Sequence, residues 1–276
     1  MKISLIQMNS RADKAANIAT AIALIEQAVA EERPDWVSLP ECFDFLGGNR
    51  ADKLAAAEVA GEGPASSALQ ALAKKHGIFI HAGSLLEKIE GQEGEERVHN
   101  TTLVFDRAGN EIARYRKIHM FDITAPDGTQ YRESAAFKPG DTVVTYECEG
   151  LTIGCSICYD LRFPYLFQAL AEKGAEMIVL PSAFTLQTGK DHWDVLCRAR
   201  AIETEAYFCA PAQCGTHMVG NETRATYGHS LVVDPWGHVI AKASDGVGIV
   251  SARIEPKLVA KVRAQIPVAQ HKVQLR

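Results

Sequence analysis

The chain has 276 residues, 47% of them hydrophobic, with a net charge of −5 and a pI near 6.0. That composition suits one large α/β domain with a substantial core, and a single domain over residues 1–276 is expected. The acidic balance offers no basic field for nucleic acid or anionic lipid, and no apolar segment approaches the ~20 residues that a membrane span needs.

Strand and helix signals alternate from the first residues. Met1-Lys-Ile-Ser-Leu-Ile6 runs straight into a strand over 2–8 with no leader pattern, so a reducing cytoplasm is the expected compartment. Asn17-Ile18, Ile22, Ile25 and Val29 keep the helical period as far as Pro34. A strand follows at 36–40. Pro64 opens a helix through Lys75 that Gly77 closes, and 78–85 reads as a strand. Residues 100–106 and 111–117 flank the turn signal Asp106-Arg-Ala-Gly-Asn110 and predict a hairpin. The stretch 118–142, broken by Pro126, Gly128, Pro139 and Gly140, has no clear period and reads as a long loop, a class that usually carries function. Strands at 143–148 and 151–157, a helix from Pro164 to Lys173, a strand at 176–180, a helix at 192–205 and a strand at 206–211 complete the alternating part. Hairpin-like strands at 228–234, 238–242 and 247–253 precede a helix that begins near Glu255. Hairpins mixed with crossover helices predict mixed sheets, and two of them packed face to face under helices accommodate about a dozen strands.

Three of these runs end on reactive side chains. Leu151-Thr-Ile-Gly-Cys-Ser-Ile157 delivers Cys158, Trp36-Val-Ser-Leu-Pro40 stops at Glu41, and Ile112-Ala-Arg-Tyr-Arg116 stops at Lys117. Ligands of open α/β sheets collect at the carboxyl ends of strands, so the three point to one site. Cysteine, carboxylate and lysine together can perform nucleophilic acyl chemistry without histidine. The seven cysteines, at 42, 148, 155, 158, 197, 209 and 214, are odd in number and irregularly spaced, which argues against a disulfide framework. Most read as small apolar fillers. Cys155 and Cys158 form a Cys-x-x-Cys, but Cys155 lies inside the strand-like run rather than at the helix N-terminus that a redox cysteine needs. No second pair of cysteines or histidines is spaced for zinc, and neither a metal nor a cofactor is expected.

Leu39-Pro40-Glu41, Tyr115-Arg116-Lys117-Ile118-His119 and Ile157-Cys158-Tyr159-Asp160-Leu161-Arg162-Phe163-Pro164 resemble the three signature regions of the nitrilase (carbon–nitrogen hydrolase) superfamily. The resemblance continues in order through Pro181-Ser182-Ala183-Phe184-Thr185, Arg198 to Glu203, Tyr227-Gly228-His229-Ser230 and Asp234-Pro235-Trp236-Gly237. It implies a four-layer α-β-β-α sandwich with two mixed β-sheets, subunits paired through a helix layer as a homodimer or higher homo-oligomer, and Glu41, Lys117 and Cys158 as a catalytic triad. Glu133, in Tyr131-Arg132-Glu133-Ser134, matches a second glutamate of that site.

The chemistry that fits these residues is amide hydrolysis through a thioester. Cys158 attacks the carbonyl while Glu41 accepts the thiol proton, and Lys117 with the backbone N–H of Tyr159 serves the oxyanion. Glu133 orients Lys117 and favours its charge. Arg162 is a candidate anchor for a substrate carboxylate, with a structural salt bridge as the alternative, and Tyr131 and Phe184 are further candidate contacts. His119, His192 and His229 read as hydrogen-bonding scaffold, Arg198, Arg200 and Glu203 as an internal ion-paired group, and Trp193 and Trp236 as core or interface aromatics. A Cys-His hydrolase would instead use His119 or His192 as base, and a silent binding scaffold would use none of these groups. Ala212-Gln213-Cys214-Gly215-Thr216-His217 and Arg224 to Ser230 are most similar to the deaminated glutathione amidase branch, ahead of the omega-amidase branch and of true nitrilases. The partner expected is therefore a small-molecule amide.

Overall fold

The computed structural model describes residues 1–92, 94–125 and 127–273. Its first half winds β1 (Lys2–Gln7), α1 (Lys14–Glu32), β2 (Trp36–Ser38), α2 (Arg50–Ala56), α3 (Pro64–His76) and β3 (Phe79–His81), then β4 (Leu85–Lys88), β5 (Val98–Phe105) and β6 (Glu111–Arg116). A small hairpin, β7 (Asp122–Thr124) with β8 (Gln130–Arg132), follows. The second half runs β9 (Thr145–Cys148), β10 (Leu151–Cys155), α4 (Pro164–Glu172), β11 (Met177–Val179), α5 (Leu186–Thr204) and β12 (Tyr207–Ala210). It closes with β13 (Cys214–Val219), β14 (Glu222–Tyr227), β15 (Leu231–Val233), β16 (Val239–Lys242), β17 (Gly248–Arg253), α6 (Pro256–Gln265) and α7 (Val268–His271).

Among the described residues these strands form two main sheets. One orders β17-β1-β2-β3-β5-β4 with β6 beside β5, and the other β16-β15-β12-β11-β10-β9. Each contains three parallel neighbours joined by helices, β1-β2-β3 and β10-β11-β12, flanked by antiparallel strands. Crossover connections demand covering helices, which makes each sheet apolar on both faces. On the outer face of the first sheet, Ile25 and Ala28 of α1 and Leu69 and Leu72 of α3 share a core with Ile6, Val37 and Ile80. On the inner face Ile3, Leu5 and Tyr115 meet Ile153 and Cys155 of the second sheet. Beyond that sheet, Phe167 of α4 packs 5.8 Å from Phe208, and Trp193, Cys197 and Ala201 of α5 are sealed in the same core. The result is the α-β-β-α sandwich with two mixed sheets.

Several elements depart from the sequence reading, which also left helices α2 and α7 unassigned. The stretch 118–142 is not continuous loop but carries β7, β8 and a 3-10 turn at Glu133–Ala135, elements too short to print a period. Helix α5 starts at Leu186, six residues before the expected start, because the Thr185 hydroxyl accepts from the Thr188 N–H and caps it. Within that first turn Gly189 lets the helix touch β14, since a Cβ there would lie 2.3 Å from the Tyr227 Cβ. Strand β4 and the hairpin β13–β14 were unassigned. The hairpin leaves much of its length exposed, so no buried alternation marks it, although Gly220-Asn221 at its tip is a turn signal.

Between the sheets lies one polar chain. The Trp36 indole donates to the Tyr146 hydroxyl at 3.0 Å, and that hydroxyl in turn reaches His81 Nδ1 at 3.2 Å. Indole can only donate, which leaves the phenol proton for the imidazole. His81 Nε2 has no partner, and burial holds the ring's pKa down to about 3. Because the unfolded chain binds this proton near pH 6.5 and the folded one does not, stability is fully present above that value and falls as pH drops towards 3. Denaturant melts of His81→Gln between pH 7 and 4 should show a stability slope shallower by about 1.4 kcal/mol per pH unit than the wild type. Identical slopes would mean that the buried imidazole titrates normally.

Candidate active site

Glu41, Lys117 and Cys158 all stand just past the carboxyl ends of strands, and the sandwich brings those ends together. Glu41 follows β2 by two residues and lies beside Cys42, which is left-handed at φ 50° and has its N–H bound by Ser84 Oγ at 2.9 Å. Gly83 supports the same segment. Its φ is 61°, and any Cβ would sit 2.1 Å from the Pro40 carbonyl oxygen. Lys117 follows β6 directly, its N–H donating to the Asn100 carbonyl of β5 at 2.9 Å. Cys158 begins a 3-10 turn after β10 at φ 48°, a strained conformation for a residue with a side chain, and its N–H donates to Pro181 O at 2.9 Å. Tyr159 is second in that turn, so its N–H has no acceptor within the helix.

Side chains complete the convergence. Lys117 Nζ donates to Glu41 Oε1 at 2.9 Å and to both Glu133 oxygens at 2.8 and 2.9 Å. Glu41 also accepts from Asn100 Nδ2 at 2.9 Å and from the Ala183 N–H at 2.8 Å. Glu133, at the start of the 3-10 turn after β8, accepts from the Phe121 N–H. Asp160 ties the cysteine loop to β6. Its carboxylate takes the Tyr115 hydroxyl at 2.6 Å, the Ile157 N–H at 2.8 Å and the His119 N–H and Nδ1 at 3.1 and 2.6 Å. Asn100 had no role in the sequence reading and Asp160 appeared only inside a motif. Neither an Asn in a strand nor an Asp in a turn is distinctive before its partners are known.

The electrostatics follow from burial plus charge. Burial disfavours the Lys117 ammonium, yet the charges of Glu133 and Glu41 outweigh that and raise its pKa well above the usual lysine range. Burial pushes the Cys158 thiol up, and the neighbouring Glu41 carboxylate pushes it further, against the Lys117 charge. Glu133 is raised by burial and by Glu41 while Lys117 opposes the shift. The resting site is thus a neutral thiol facing an acceptor carboxylate, with a fixed cation alongside. Burial also lifts the Cys155 thiol well above the usual range. Cys155 lies in the inter-sheet core, and all seven thiols are buried and unbridged.

A cavity of about 390 Å³ opens over Cys158. Tyr131, Phe184 and Arg162 line it, as do Tyr159, Phe121 and Phe137. Arg162 makes no salt bridge among the described residues. Its guanidinium donates to His192 Nδ1 at 3.2 Å and lies 5.6 Å from the Phe184 ring centroid. His119 is engaged by Asp160 and by the Tyr165 hydroxyl, and stacks on Phe163 with centroids 3.7 Å apart. With His192 held by Arg162 and His229 Nδ1 bonded to the Tyr227 carbonyl oxygen, no histidine hydrogen-bonds the thiol among the described residues. Arg200 pairs with Glu203 at 2.9 Å, whereas Arg198 leaves that group and donates to the Gly237 carbonyl oxygen. Trp193 is core, and Trp236 is 47% exposed.

The carbon-nitrogen hydrolase family model matches residues 2–264, nearly the whole chain. The chain belongs to the carbon-nitrogen hydrolase family. As a family member it is an enzyme hydrolysing C–N bonds. It is 40% identical to a deaminated glutathione amidase of Synechocystis sp. (strain PCC 6803 / GT-S) over 97% of this chain and 96% of that one. It is 36% identical to a human omega-amidase over 98% and 94% of the two chains. The crystal structure of the C. elegans NitFhit protein superposes on this carbon-nitrogen hydrolase with a TM-score of 0.89 at 38% identity, covering 98% of this chain, which spans 64% of that one.

Asn100 touches both other parties, Glu41 through its side-chain amide and the Lys117 N–H through its backbone carbonyl. Asn100→Leu keeps the volume but removes the donor, leaving Glu41 held by Lys117 Nζ and the Ala183 N–H alone. The expected result is a fall of about 10- to 100-fold in kcat at little cost in Tm, on the scale of a lost hydrogen bond to a charged group. Unchanged kcat would make the contact incidental.

Proposed function

We propose that Cys158, Glu41 and Lys117 are the nucleophile, the proton carrier and the oxyanion partner of an amidase whose single catalytic domain spans the chain. The observation that carries this reading is the contact of Lys117 Nζ with both carboxylates beside a buried, neutral Cys158 thiol. As Cys158 Sγ bonds to the amide carbon, its proton passes to Glu41 and negative charge gathers on the carbonyl oxygen. The Lys117 ammonium and the Tyr159 N–H are the donors for that charge, worth about 2.7–4 kcal/mol for a single such donor in other acyl-transfer sites. Collapse breaks the C–N bond, the amine leaves with the proton from Glu41, and a thioester remains. Water then gives a proton to Glu41 and attacks the thioester, and the proton returns to Cys158 as the acid departs. Glu133 holds Lys117 in place throughout.

Deaminated glutathione is the substrate we assign, on the strength of the amidase similarity and of the segment from Ala212 to Ser230. Its acyl half is a 2-oxoglutaramate-like group and its amine half a Cys-Gly peptide, and Arg162 is the proposed anchor for the acyl carboxylate. A peptide amine gives more contacts remote from the carbonyl than ammonia does, and these align the amide on Cys158. The aromatic wall of Tyr131, Phe137 and Phe184 suits that longer substrate. The unbridged state of seven buried thiols supports a reducing, cytoplasmic setting. Assays of one preparation should give a higher kcat/KM for deaminated glutathione than for 2-oxoglutaramate and no turnover of simple nitriles. Cys158→Ala should lose all turnover and Cys155→Ala should keep most of it. A preference for 2-oxoglutaramate would move the protein to omega-amidase activity, and equal losses in the two cysteine variants would sink the single nucleophile.

The outer face of α5 supports a homodimer. Val195 and Ile202, two turns apart on one helix face, are 67% and 49% exposed, and Trp236 and Ile240 lie exposed in the same half of the chain. Val195→Glu together with Ile202→Glu should convert a dimer in light scattering to a monomer. A wild-type chain that is already monomeric removes this proposal.

A further inference from the structure

The cavity over Cys158 has a carboxylate floor, Glu41 and Glu133, but its outer walls are cationic on two sides. Arg162 forms one side. The other is built by the hairpin β13–β14 together with Lys53 of α2, and nothing in the amidase mechanism above uses it. The hairpin is docked over the start of α2. The Gly48 N–H donates to the Met218 carbonyl oxygen at 3.2 Å, and a Cβ on Gly47 would come 2.3 Å from that same oxygen. His217 and Arg224 are direct cross-strand partners, so their side chains leave the hairpin on one face, and both line the cavity.

These three basic side chains are short of partners. Lys53 Nζ spends two of its three donors on the Gly47 and Gly48 carbonyls, at 2.8 and 3.0 Å, and meets no carboxylate within salt-bridge distance among the described residues. Among the described residues Arg224 Nε is buried with no acceptor, and its guanidinium has one anionic partner, the solvent-exposed Glu222, at 3.1 Å. An exposed pair of that kind holds weakly and exchanges readily for a better anion. His217 Nδ1 is also buried without a partner. Burial first, then the Arg224 and Lys53 charges, hold the His217 pKa down to about 4. The guanidinium lies 4.5 Å over the Tyr131 ring, which fixes its plane and leaves its edge for a bidentate acceptor.

A run of tilted, edge-on ring contacts joins this corner to the nucleophile. Tyr159, next to Cys158, lies 5.0 Å from Phe121, and Phe121 lies 5.0 Å from Tyr131, under Arg224. We infer that Arg224, with Lys53 and His217, forms a second anion subsite that receives the terminal carboxylate of the amine half of the substrate. This rests on the amidase reading above and extends it: the preferred substrates carry a carboxylate on each side of the amide, one for Arg162 and one for Arg224.

Three amides separate the possibilities: deaminated glutathione, its C-terminal glycinamide analogue, and 2-oxoglutaramate, whose amine half is ammonia. Wild-type enzyme should cleave the acid at least tenfold more efficiently than the glycinamide, with the difference in KM rather than kcat. In Arg224→Gln the ratio of kcat/KM for acid over glycinamide should fall to near one, Arg224→Lys should recover part of it, and Lys53→Gln should lower it less. Activity on 2-oxoglutaramate in the same preparations reports whether the variants are folded. The inference is overturned if the wild type treats acid and glycinamide alike, or if Arg224→Gln slows all three amides by one factor. Wild-type enzyme inert towards all three would instead bring down the substrate assignment, and the subsite with it.

Discussion

The buried ammonium of Lys117 is the constraint around which this molecule is arranged. Its side chain is 2% exposed, and an uncompensated charge at that depth costs several kcal/mol. It is tolerated because Glu41 and Glu133 close on it from two other segments of the first half of the chain. Each carboxylate is then satisfied in turn, Glu41 by Asn100 and the Ala183 N–H, Glu133 by the Phe121 N–H. Ala183 belongs to the second half, so the network stitches the two sheets together at the point where their parallel strands end. Gln213 adds to the seam, its amide donating to the Glu41 carbonyl oxygen at 3.0 Å and to Ser10 Oγ at 2.8 Å.

That arrangement dictates how the thiol is handled. With two carboxylates and one ammonium, the site is already negative before Cys158 ionises, and burial adds to the cost of a thiolate. In the mechanism proposed above, Cys158 is kept protonated and deprotonated only as it attacks, with Glu41 moving the proton. Redox cysteines follow the opposite logic, depending on a thiolate stabilised at rest. The left-handed backbone at Cys158 belongs to the same design. It turns the side chain out of the β10 direction into the cavity, and the Asp160 contacts to Tyr115, His119 and Ile157 hold the strained loop there.

Around this polar floor the cavity changes character. Its walls are aromatic and cationic, with Arg162 and Arg224 each lying over rings that restrict their orientation. The floor supplies chemistry common to any amide, while the walls discriminate by what hangs on either side of it. The floor sits on strand ends buried between sheets. The walls draw on the turn that carries Cys158, through Tyr159 and Arg162, and on α2, the β7–β8 hairpin and the β13–β14 hairpin.

The division between what was legible in the sequence and what was not follows the same line. Cys158, Glu41 and Lys117 could be read because strand-like runs stop at them and their flanking motifs resemble a known family, and the parallel strands and their crossover helices could be read from periodicity. The periodic signal comes from burial against a continuous core, whereas β6, which leads to Lys117, is largely exposed and carries no such pattern. Asn100, Asp160 and the Ala183 N–H could not be singled out, because an amide in a strand or a carboxylate in a turn takes its role from a partner 45 or more positions away. The β13–β14 hairpin and the β7–β8 pair stayed hidden for a related reason. They are short or largely exposed and held by backbone contacts such as Gly48 to Met218, which leave almost no mark in side-chain pattern. The sequence by itself determined the mixed α/β class and, through its family resemblance, the sandwich and the three candidate residues Cys158, Glu41 and Lys117. Only the tertiary structure decided the partners of each carboxylate and the placing of Arg224 and Lys53 on one wall, because hydrogen bonds and cation pairs across the fold depend on distances in space that no local pattern encodes.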